Sequence, residues 1–292
     1  MTARRGTVLI TGTSSGIGLA TAVTAARAGF SVVATVRDPD RTRELREEAV
    51  RAGVALDVRR LDVTDEESIA TCLRDVRETY GGLDAVVNNA GISNFDPTME
   101  MSTTQALRAN LEVNFFGVVA VSRAAMPLLR AAGGRLLSVG SVHGVVGQPF
   151  NEAYAAAKFA VEGFMESLAP VAAEHGVRVC VVVPGFVHDT RFGYFPDVNR
   201  QTIQAASGPY ARTFSGYIDR LAAQGWGGGQ SKWEVAEVVV GALTAEEPPF
   251  RIPTSDRVAG YLAHKLADGD GSAVQALART WVAGTEATVR PT

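Results

Sequence analysis

The sequence predicts an α/β protein: a doubly wound parallel sheet with helices on both faces, in a single domain. Two features predict this class. Short apolar runs rich in valine alternate with longer helical patterns between residues 7 and 185. These runs are apolar at consecutive positions, as expected of parallel strands that helices cover on both sides. Right-handed crossovers between such strands then give a doubly wound sheet.

Each predicted element follows from its own local pattern. The strands are predicted at TVLIT (7–11), SVVATV (31–36), VRRLDV (58–63), DAVVNNA (84–90), RLLSVGS (135–141) and VRVCVVVPG (177–185). The helices are predicted between them, at residues 16–28, 40–52, 65–80, 101–131 and 152–175. The alternation indicates βαβ units, and the spacing shows no solenoid repeat.

The pattern changes after Pro184. Residues 186–231 are rich in glycine, aromatic and polar residues and contain only weak helical segments. A connection of this length inside a compact domain is usually functional, and often a lid. Helical patterning returns at 232–244, followed by the short apolar run PFRIPT and two candidate terminal helices. We therefore expect one domain over residues 1–292, with a variable insertion at 186–231.

Composition and charge argue against several classes. Of the 292 residues, 46% are hydrophobic and 20% are charged, and the net charge is −3. This balance is ordinary for a soluble globular protein and gives no basic excess that would favour nucleic acid. No apolar run approaches the roughly 20 residues of a membrane span, and the N-terminal run from Val8 to Ile10 is too short for a signal peptide. We expect a cytoplasmic protein with no membrane span.

The two cysteines, Cys72 and Cys180, lie far apart, each in an apolar segment. This placement predicts reduced core residues rather than a disulfide framework, which suits a reducing compartment. No cluster of His, Cys, Asp or Glu has the spacing of metal ligands, so no metal site is predicted.

A glycine-rich segment follows the first predicted strand. Residues 11–18 read TGTSSGIG and run directly into an apolar helical pattern. Glycine at positions 12, 16 and 18 lets the backbone turn tightly and approach a pyrophosphate at the helix N-terminus. The spacing Gly-x-x-x-Gly-x-Gly differs from the more familiar Gly-x-Gly-x-x-Gly fingerprint. A plain turn is the alternative, but the position between strand and helix favours phosphate binding.

The end of the second predicted strand bears on the choice of dinucleotide. An acidic residue there favours NAD, whereas a nearby arginine accommodates the 2′-phosphate of NADP. Here the strand ends Thr35-Val36-Arg37-Asp38, with Val36 where the acid would stand. A guanidinium can bind a phosphate bidentately, so Arg37 predicts a preference for NADP(H), with NAD(H) possible. Asp38 could pair with Arg37 or contact a ribose 2′-hydroxyl instead.

A tyrosine and a lysine share a helix face further along the chain. Residues 154–158 read YAAAK, which puts Tyr154 and Lys158 about one turn apart. Ser141 lies upstream in the stretch GSVHG. Tyr-x-x-x-Lys is common by chance, so it gains weight only from the motifs around it.

Taken together, these segments resemble the short-chain dehydrogenase/reductase family, whose fold is Rossmann-like. The resemblance is specific over roughly residues 6–190 and looser beyond. The matching motifs, in chain order, are Thr11-Gly12-x-x-x-Gly16-Ile17-Gly18, Asp62 in LDVTD, Asn88-Asn89-Ala90-Gly91, Asn114 in EVNFFG, Ser141, Tyr154-x-x-x-Lys158 and Pro184-Gly185. Each is weak alone, but seven in the right order rarely coincide by chance. The strand end VVATVRD is similar to that of NADP-dependent carbonyl, retinoid and steroid reductases.

The resemblance implies a set of cofactor contacts. They are Gly12, Ser14, Ser15, Gly16, Ile17 and Gly18 around the phosphates, Asp62 and Val63 beside the adenine, Asn88, Ala90 and Gly91 after the fourth strand, Pro184, Gly185 and Val187 at the nicotinamide, and Tyr154 and Lys158 in the site itself. Thr190 would supply the hydroxyl that usually follows the Pro-Gly pair, although the intervening FVHD is one residue longer than the common pattern.

The implied catalytic residues are Asn114, Ser141, Tyr154 and Lys158. Tyr154 would be the general acid in reduction and the general base in oxidation, and Ser141 would hydrogen-bond the substrate oxygen. A free tyrosine has a pKa near 10, and we expect the ammonium group of Lys158 to lower it. Asn114 would hold a water that links Lys158 to solvent.

The favoured function is an NADP(H)-dependent ketoreductase or alcohol dehydrogenase that transfers a hydride between the cofactor and a ketone or secondary alcohol. Aromatic residues in the insertion favour a bulky apolar substrate: Phe186, Phe192, Tyr194, Phe195, Tyr210, Phe214, Tyr217 and Trp226. A non-catalytic NADP(H)-sensing regulator is an alternative, against which the complete tetrad counts. A sugar-nucleotide epimerase or dehydratase of the extended relatives is another, against which the NNAG run and the short C-terminal region count.

Two further features are left outside the predicted site. His143 and His188 could reach a substrate cleft, but a loop histidine is more often structural. The long helices at 101–131 and 152–175 pair between subunits in many relatives, which implies a homodimer or homotetramer.

Overall fold

The computed structural model describes residues 5–93, 95–190, 197–223 and 229–267. In these ranges, a seven-stranded parallel sheet has the order β3-β2-β1-β4-β5-β6-β7. The strands are β1 (Thr7–Ile10), β2 (Ser31–Val36), β3 (Asp57–Arg60), β4 (Ala85–Asn88), β5 (Arg135–Val139), β6 (Arg178–Val183) and β7 (Arg251–Pro253). The helices are α1 (Gly16–Arg27), α2 (Arg43–Ala52), α3 (Glu66–Tyr80), α4 (Thr104–Leu111), α5 (Gly117–Ala132), α6 (Glu152–Ala173), α7 (Asp197–Ala206), α8 (Ala211–Ala223), α9 (Lys232–Thr244) and α10 (Asp256–Ala267).

The continuous apolar runs of the strands bury both faces of the sheet. Along β1, Val8 and Ile10 share one core layer with side chains of α1, α2 and α9. Leu9 points to the other face and shares a layer with α3, α5, α6 and α10. All three side chains are fully buried. The predicted doubly wound sheet with helices on both faces is therefore confirmed.

Two predicted helices are interrupted in the structure, and one strand was not assigned from the sequence. The predicted helix at 40–52 is split: a 3₁₀ turn at Pro39–Arg41 precedes α2, because the Asp38 carboxylate accepts a hydrogen bond from the Asp40 backbone N–H (3.0 Å). The predicted helix at 101–131 contains a π turn at Glu112–Phe116 between α4 and α5. The run PFRIPT forms β7, a seventh strand that the sequence analysis did not assign.

One helix corrects the expectation that no apolar segment reaches the length of a membrane span. Within the described ranges, Thr104–Ala132 forms a 29-residue helix that is long and apolar enough to cross a membrane by length and composition alone. About a third of its most apolar window (33%) is buried in the structure. Val121, Ala125 and Leu129 pack in the core beneath the sheet, which accounts for part of its apolar character.

The insertion after β6 carries α7, a 3₁₀ turn at Gly208–Tyr210 and α8, in agreement with the weak helical segments predicted there. Phe214 and Tyr217 of α8 are buried against Phe150, with ring centroids 5.3 and 5.8 Å from it. Phe150 has a positive φ of 58° and lies just before α6, so α8 packs at the start of the helix that carries Tyr154. The role of the insertion as a lid stays a prediction.

Several sequence expectations fall on residues that the structure does not describe. They concern Phe192, Tyr194, Phe195, Trp226 and the second candidate terminal helix. The first candidate terminal helix is α10. Cys72 and Cys180 are buried and free, as predicted.

Candidate active site

A cleft of about 600 Å³ opens at the carboxyl ends of the strands. The chain passes from β3 to β4 across β1, so the strand order reverses between β1 and β4, where α/β sheets bind ligands. The predicted residues that line the cleft are Gly12, Ser14, Ser15, Gly16, Ile17, Gly18, Arg37, Asp62, Val63, Ala90, Gly91, Ser141, Tyr154, Lys158, Pro184, Gly185, Val187 and Thr190. Asn88 and Asn114 are buried behind its wall.

The N-terminus of α1 faces the cleft without a cap from its own sequence. Ser15 stands at the N-cap with extended backbone, its side chain makes no capping hydrogen bond, and the first turn has no acidic residue. The free backbone N–H groups of this turn, together with the helix dipole, form a site that can bind an anion. Gly12 and Gly16 have φ of +70° and +60°, a conformation that residues with a Cβ rarely adopt. These features fit the pyrophosphate of a dinucleotide.

Asn89, just after β4, joins this loop to the end of β4 through hydrogen bonds. Its Nδ2 donates to the carbonyl oxygens of Thr11 (2.9 Å) and Gly12 (3.1 Å). In return, the Thr11 Oγ1 accepts from the backbone N–H groups of Asn89 and Ala90, both at 3.0 Å. The loops lie so close that a Cβ on Gly12 would stand 2.7 Å from the Ala90 Cα.

The sequence analysis assigned a cofactor contact to Asn88 and none to Asn89. The structure places Asn89 in the cleft wall and Asn88 in the core, where its Nδ2 donates to the Ser122 Oγ (2.9 Å). Strand alternation could have found this, because β4 ends at Asn88 and its side chain still belongs to the sheet.

Arg37 is exposed at the rim of the cleft, one residue beyond β2. Asp38 bonds to the turn that follows it, so in the described part of the chain it forms no ion pair with Arg37. Asp62, on the neighbouring loop, also has a local partner, since its Oδ1 accepts from the N–H (3.0 Å) and hydroxyl (2.8 Å) of Thr64.

Ser141, Tyr154 and Lys158 come together on the floor of the cleft. Ser141 and Tyr154 are joined by a side-chain hydrogen bond. The 3₁₀ turn that carries Ser141 packs tightly on α6, since a Cβ on Gly144 would lie 2.9 Å from the Lys158 carbonyl oxygen. The Lys158 Nζ donates to the Val139 carbonyl oxygen (2.9 Å) and lies 5.8 Å from the centroid of the Tyr154 ring.

Burial dominates the electrostatics of these side chains. It raises the pKa of Tyr154 to about 12, while the hydrogen bond from Ser141 works in the opposite direction. Burial also lowers the pKa of Lys158 to about 8. The expectation that Lys158 lowers the pKa of Tyr154 below its usual value is therefore wrong for this arrangement. The ammonium group of Lys158 donates its hydrogen bond to the Val139 carbonyl oxygen. Removal of the phenol from water therefore has the largest effect on the pKa of Tyr154.

Asn114 lies in the π turn and positions the loop after β4. Its Oδ1 accepts from the Ile92 backbone N–H (3.0 Å), and its Nδ2 donates to the Ile92 carbonyl oxygen (2.9 Å). The side chain is fully buried, so it shapes the cleft wall from behind. The water that the family resemblance implies beside Asn114 stays a prediction.

The segment after β6 crosses the mouth of the phosphate loop. The Thr190 Oγ1 donates to the Val187 carbonyl oxygen (3.1 Å), and its methyl carbon would lie 3.5 Å from a Cβ on Gly16. Thr190 therefore reaches the phosphate end in spite of the longer spacing. Gly185 packs against α10, where a Cβ would meet the Val258 side chain at 3.0 Å.

The other end of the cleft is largely apolar. Its wall includes Phe95, Val146, Phe186, Tyr217, Leu221, Val258 and Tyr261. Polar groups are interspersed, and sequence reasoning missed most of them: Gln148, Asn151, Gln230, Ser255 and Arg257. Only Asn151, three residues before Tyr154, lay close enough to a motif to be suspected. Within the described residues, no group of three or more His, Cys, Asp or Glu is placed to hold a metal ion.

Fold and site together define an oxidoreductase that works on alcohols or ketones with a nicotinamide dinucleotide. The family model for short chain dehydrogenases matches residues 6–194, and the chain belongs to this family. Retinol dehydrogenase 8 of Bos taurus is 36% identical over 280 residues, 91% of this chain and 86% of that protein. The 17-beta-hydroxysteroid dehydrogenase type 1 of Homo sapiens is 36% identical over 276 residues, 92% of this chain and 83% of that protein.

A solved structure shows the same architecture. A short-chain dehydrogenase from Streptomyces avermitilis superposes with a TM-score of 0.73 at 26% identity, over 98% of this chain and all (100%) of that one. The TM-score and the coverage show that the two chains share one fold.

The lowered pKa of Lys158 makes the protein's stability depend on pH in a defined direction. Because the pKa is about 8 in the fold and 10.5 in a free lysine, the unfolded chain binds the proton more tightly across that interval. The free energy of unfolding should therefore rise with pH there. Lys158→Met should remove about 3 kcal/mol of that rise, at about 1.4 kcal/mol for each unit between the two pKa values.

Urea unfolding of the wild type and of Lys158→Met at a series of pH values measures this effect. The quantity to compare is the free energy of unfolding of the wild type minus that of the variant. The difference should be flat below pH 8 and increase above it. Parallel curves for the two proteins across the interval would contradict burial as the cause.

Proposed function

We propose that the protein is an NADP(H)-dependent ketoreductase that reduces bulky apolar ketones to secondary alcohols. The observation that carries this proposal is the grouping of Ser141, Tyr154 and Lys158 in the cleft, where the Lys158 Nζ lies 5.8 Å from the centroid of the Tyr154 ring. These three side chains provide two hydrogen-bond donors and a positive charge beside the largely apolar end of the cleft.

The residues act on the carbonyl oxygen of the substrate. Ser141 and Tyr154 donate hydrogen bonds to it, which polarises the carbonyl and stabilises the negative charge that develops. NADPH, held by the turn before α1 and by Arg37, would supply the hydride to the carbonyl carbon. Tyr154 then delivers its proton to the oxygen, and the ammonium group of Lys158 stabilises the phenolate that remains.

The pKa values are compatible with reduction at neutral pH. With a pKa of about 12, the phenol of Tyr154 is protonated at neutral pH, which is the form that reduction requires. Oxidation would require the phenolate, which burial disfavours. Lys158, with a pKa of about 8, is mostly charged at neutral pH and loses its charge in mildly alkaline solution.

The rim of the cleft supports the preference for NADP(H). Val36 is buried at the end of β2, where an acid would bind the ribose of NAD, and Arg37 follows it. Asp38, the nearest carboxylate in sequence, is bonded to the next turn. A 2′-phosphate beside Arg37 would gain a charge-assisted bond, whereas NADH would leave the guanidinium in solvent.

The far end of the cleft supports a sizeable apolar substrate. Phe186 and Tyr217 from the insertion, with Val258 and Tyr261 from α10, form its walls. Apolar walls with a few polar groups favour ligands that bury most of their surface. The names of the two relatives, a retinol and a steroid dehydrogenase, describe substrates of this kind.

We also propose that the protein forms a homodimer or homotetramer in the cytoplasm. Large apolar side chains are exposed on neighbouring helices: Leu107 on α4, Phe116 just before α5, and Phe159 on α6. Side chains of this size favour a contact with a second copy of the chain. The buried, free Cys72 and Cys180 support a reducing compartment.

Replacing Tyr154 with Phe tests the proton donor. The variant keeps the ring and its packing but lacks the hydroxyl, so NADPH-dependent reduction of ketones should fall by a factor of about 10³ or more. Binding of NADPH, measured by fluorescence titration, should change little. Turnover near that of the wild type would contradict the assignment.

Replacing Arg37 with Ala tests the cofactor preference. Loss of a charge-assisted contact should raise the KM for NADPH about tenfold to a hundredfold, and leave that for NADH nearly unchanged. Arg27→Ala, at the far end of α1, is the control with the same loss of charge. An equal rise for both cofactors in Arg37→Ala would contradict the proposal.

Replacing Phe159 with Glu tests the assembly. A charge on this exposed apolar surface should dissociate the protein into monomers, measured by light scattering after size-exclusion chromatography. The exposed Val50 on α2 offers a control, Val50→Glu, which should keep the assembly. A wild-type monomer at micromolar concentration would refute the proposed oligomer.

A further inference from the structure

His143 lies in the cleft wall, and the reduction derived above does not use it. It follows Ser141 by two residues, in the 3₁₀ turn Val142–Gly144. Its backbone N–H donates to the Ser141 Oγ (3.1 Å), so the turn holds the histidine beside the point where the carbonyl oxygen binds. Its neighbours Val142 and Val146 are buried and apolar.

The hydrogen bonding of the ring fixes the chemistry of its two nitrogens. The His143 Nδ1 lies 3.1 Å from the Val146 carbonyl oxygen. Because a carbonyl oxygen can only accept, Nδ1 carries the proton of this bond. Burial lowers the pKa of His143 to about 4, so the ring is neutral at physiological pH. Nε2 therefore carries a lone pair and is a hydrogen-bond acceptor.

This acceptor has no protein partner in the described part of the chain. The only hydrogen bond of the His143 ring there is the one made by Nδ1. Some polar side-chain atoms of the described residues are fully buried and have no hydrogen-bond partner, and Nε2 of His143 is not one of them. Since Nε2 has no partner, it is therefore accessible to solvent. The residue is partly buried and lines the cleft, so the cleft is the open space that it borders.

We propose that Nε2 of His143 accepts a hydrogen bond from a hydroxyl group that the substrate carries close to its reacting carbonyl. The preferred substrates are then hydroxyketones, and the products are diols. This inference rests on the proposed ketoreductase function and names the substrate class of the same site. A ketone with a methyl group in place of the hydroxyl would cover Nε2 without bonding to it, and an unpaired buried acceptor opposes binding.

Two ketones of the same shape test the inference. 2-Hydroxyacetophenone and propiophenone differ only in a hydroxyl against a methyl group on the chain beside the carbonyl. The wild-type protein should prefer the hydroxyketone in kcat/KM by about tenfold or more, the size expected for one hydrogen bond to a buried acceptor. 3-Hydroxypropiophenone and butyrophenone extend the comparison by one carbon.

Two replacements separate the two ring nitrogens. In His143→Asn, the amide nitrogen can still donate to Val146, but nothing replaces Nε2, so the preference should fall to about twofold or less. In His143→Gln, the amide oxygen reaches the place of Nε2, so most of the preference should return. His175→Asn, on an exposed histidine after α6, is the control and should keep the wild-type preference.

A measurement that needs no turnover keeps the inference separate from the proposed function. In protein labelled with ¹⁵N-histidine, the Nε2 resonance that is lost in His143→Asn should shift on addition of 2-hydroxyacetophenone with NADP⁺, and less with propiophenone. A shift without any ketone reduction would refute the ketoreductase and keep the binding role. Reduction of ketones with no preference for the hydroxyl, or an unmoved resonance, would overturn the role of His143.

Discussion

The side-chain amide of Asn89 joins the two loops on which the cofactor end of the cleft depends. It donates hydrogen bonds to the carbonyl oxygens of Thr11 and Gly12. The hydroxyl oxygen of Thr11 accepts hydrogen bonds from two backbone N–H groups of the loop after β4. This clamp is possible because Gly12 lacks a Cβ and lets the loops approach to contact. It holds the uncapped start of α1 at the carboxyl edge of the sheet. Asn114 fixes the same loop from behind, through both backbone groups of Ile92.

Exclusion of water sets the charges at the other end of the site. Burial raises the pKa of Tyr154 and lowers the pKa values of Lys158 and His143. Each shift favours the uncharged form, as expected of groups removed from solvent. At neutral pH the resting site thus combines a neutral phenol and a neutral imidazole with a mostly charged Lys158, which can stabilise negative charge on the carbonyl oxygen. In the same water-poor environment, a substrate that buries Nε2 of His143 without a hydrogen bond loses binding free energy. His143 therefore contributes to the choice of substrate.

The sequence was sufficient for features that depend on local pattern. Consecutive apolar residues predicted the strands through β6, and glycine spacing predicted the tight turn between β1 and α1. The failures involve contacts between distant segments. Helical spacing put Lys158 beside Tyr154 but could not show that its ammonium group bonds to Val139 of β5. Likewise, Pro253 obscured the short β7, and the cleft residues of α10 became visible only once the chain was folded.

In the proposed reaction, a hydride passes from the cofactor to a carbonyl carbon while Tyr154 protonates the oxygen. The most direct test uses NADPH deuterated at the transferable hydrogen, with propiophenone as the acceptor, and locates the label by mass spectrometry and NMR. The account predicts NADP⁺ without the label and an alcohol with one deuterium on the carbinol carbon. An alcohol without deuterium, or label that stays in the cofactor while propiophenone is recovered unchanged, would contradict it.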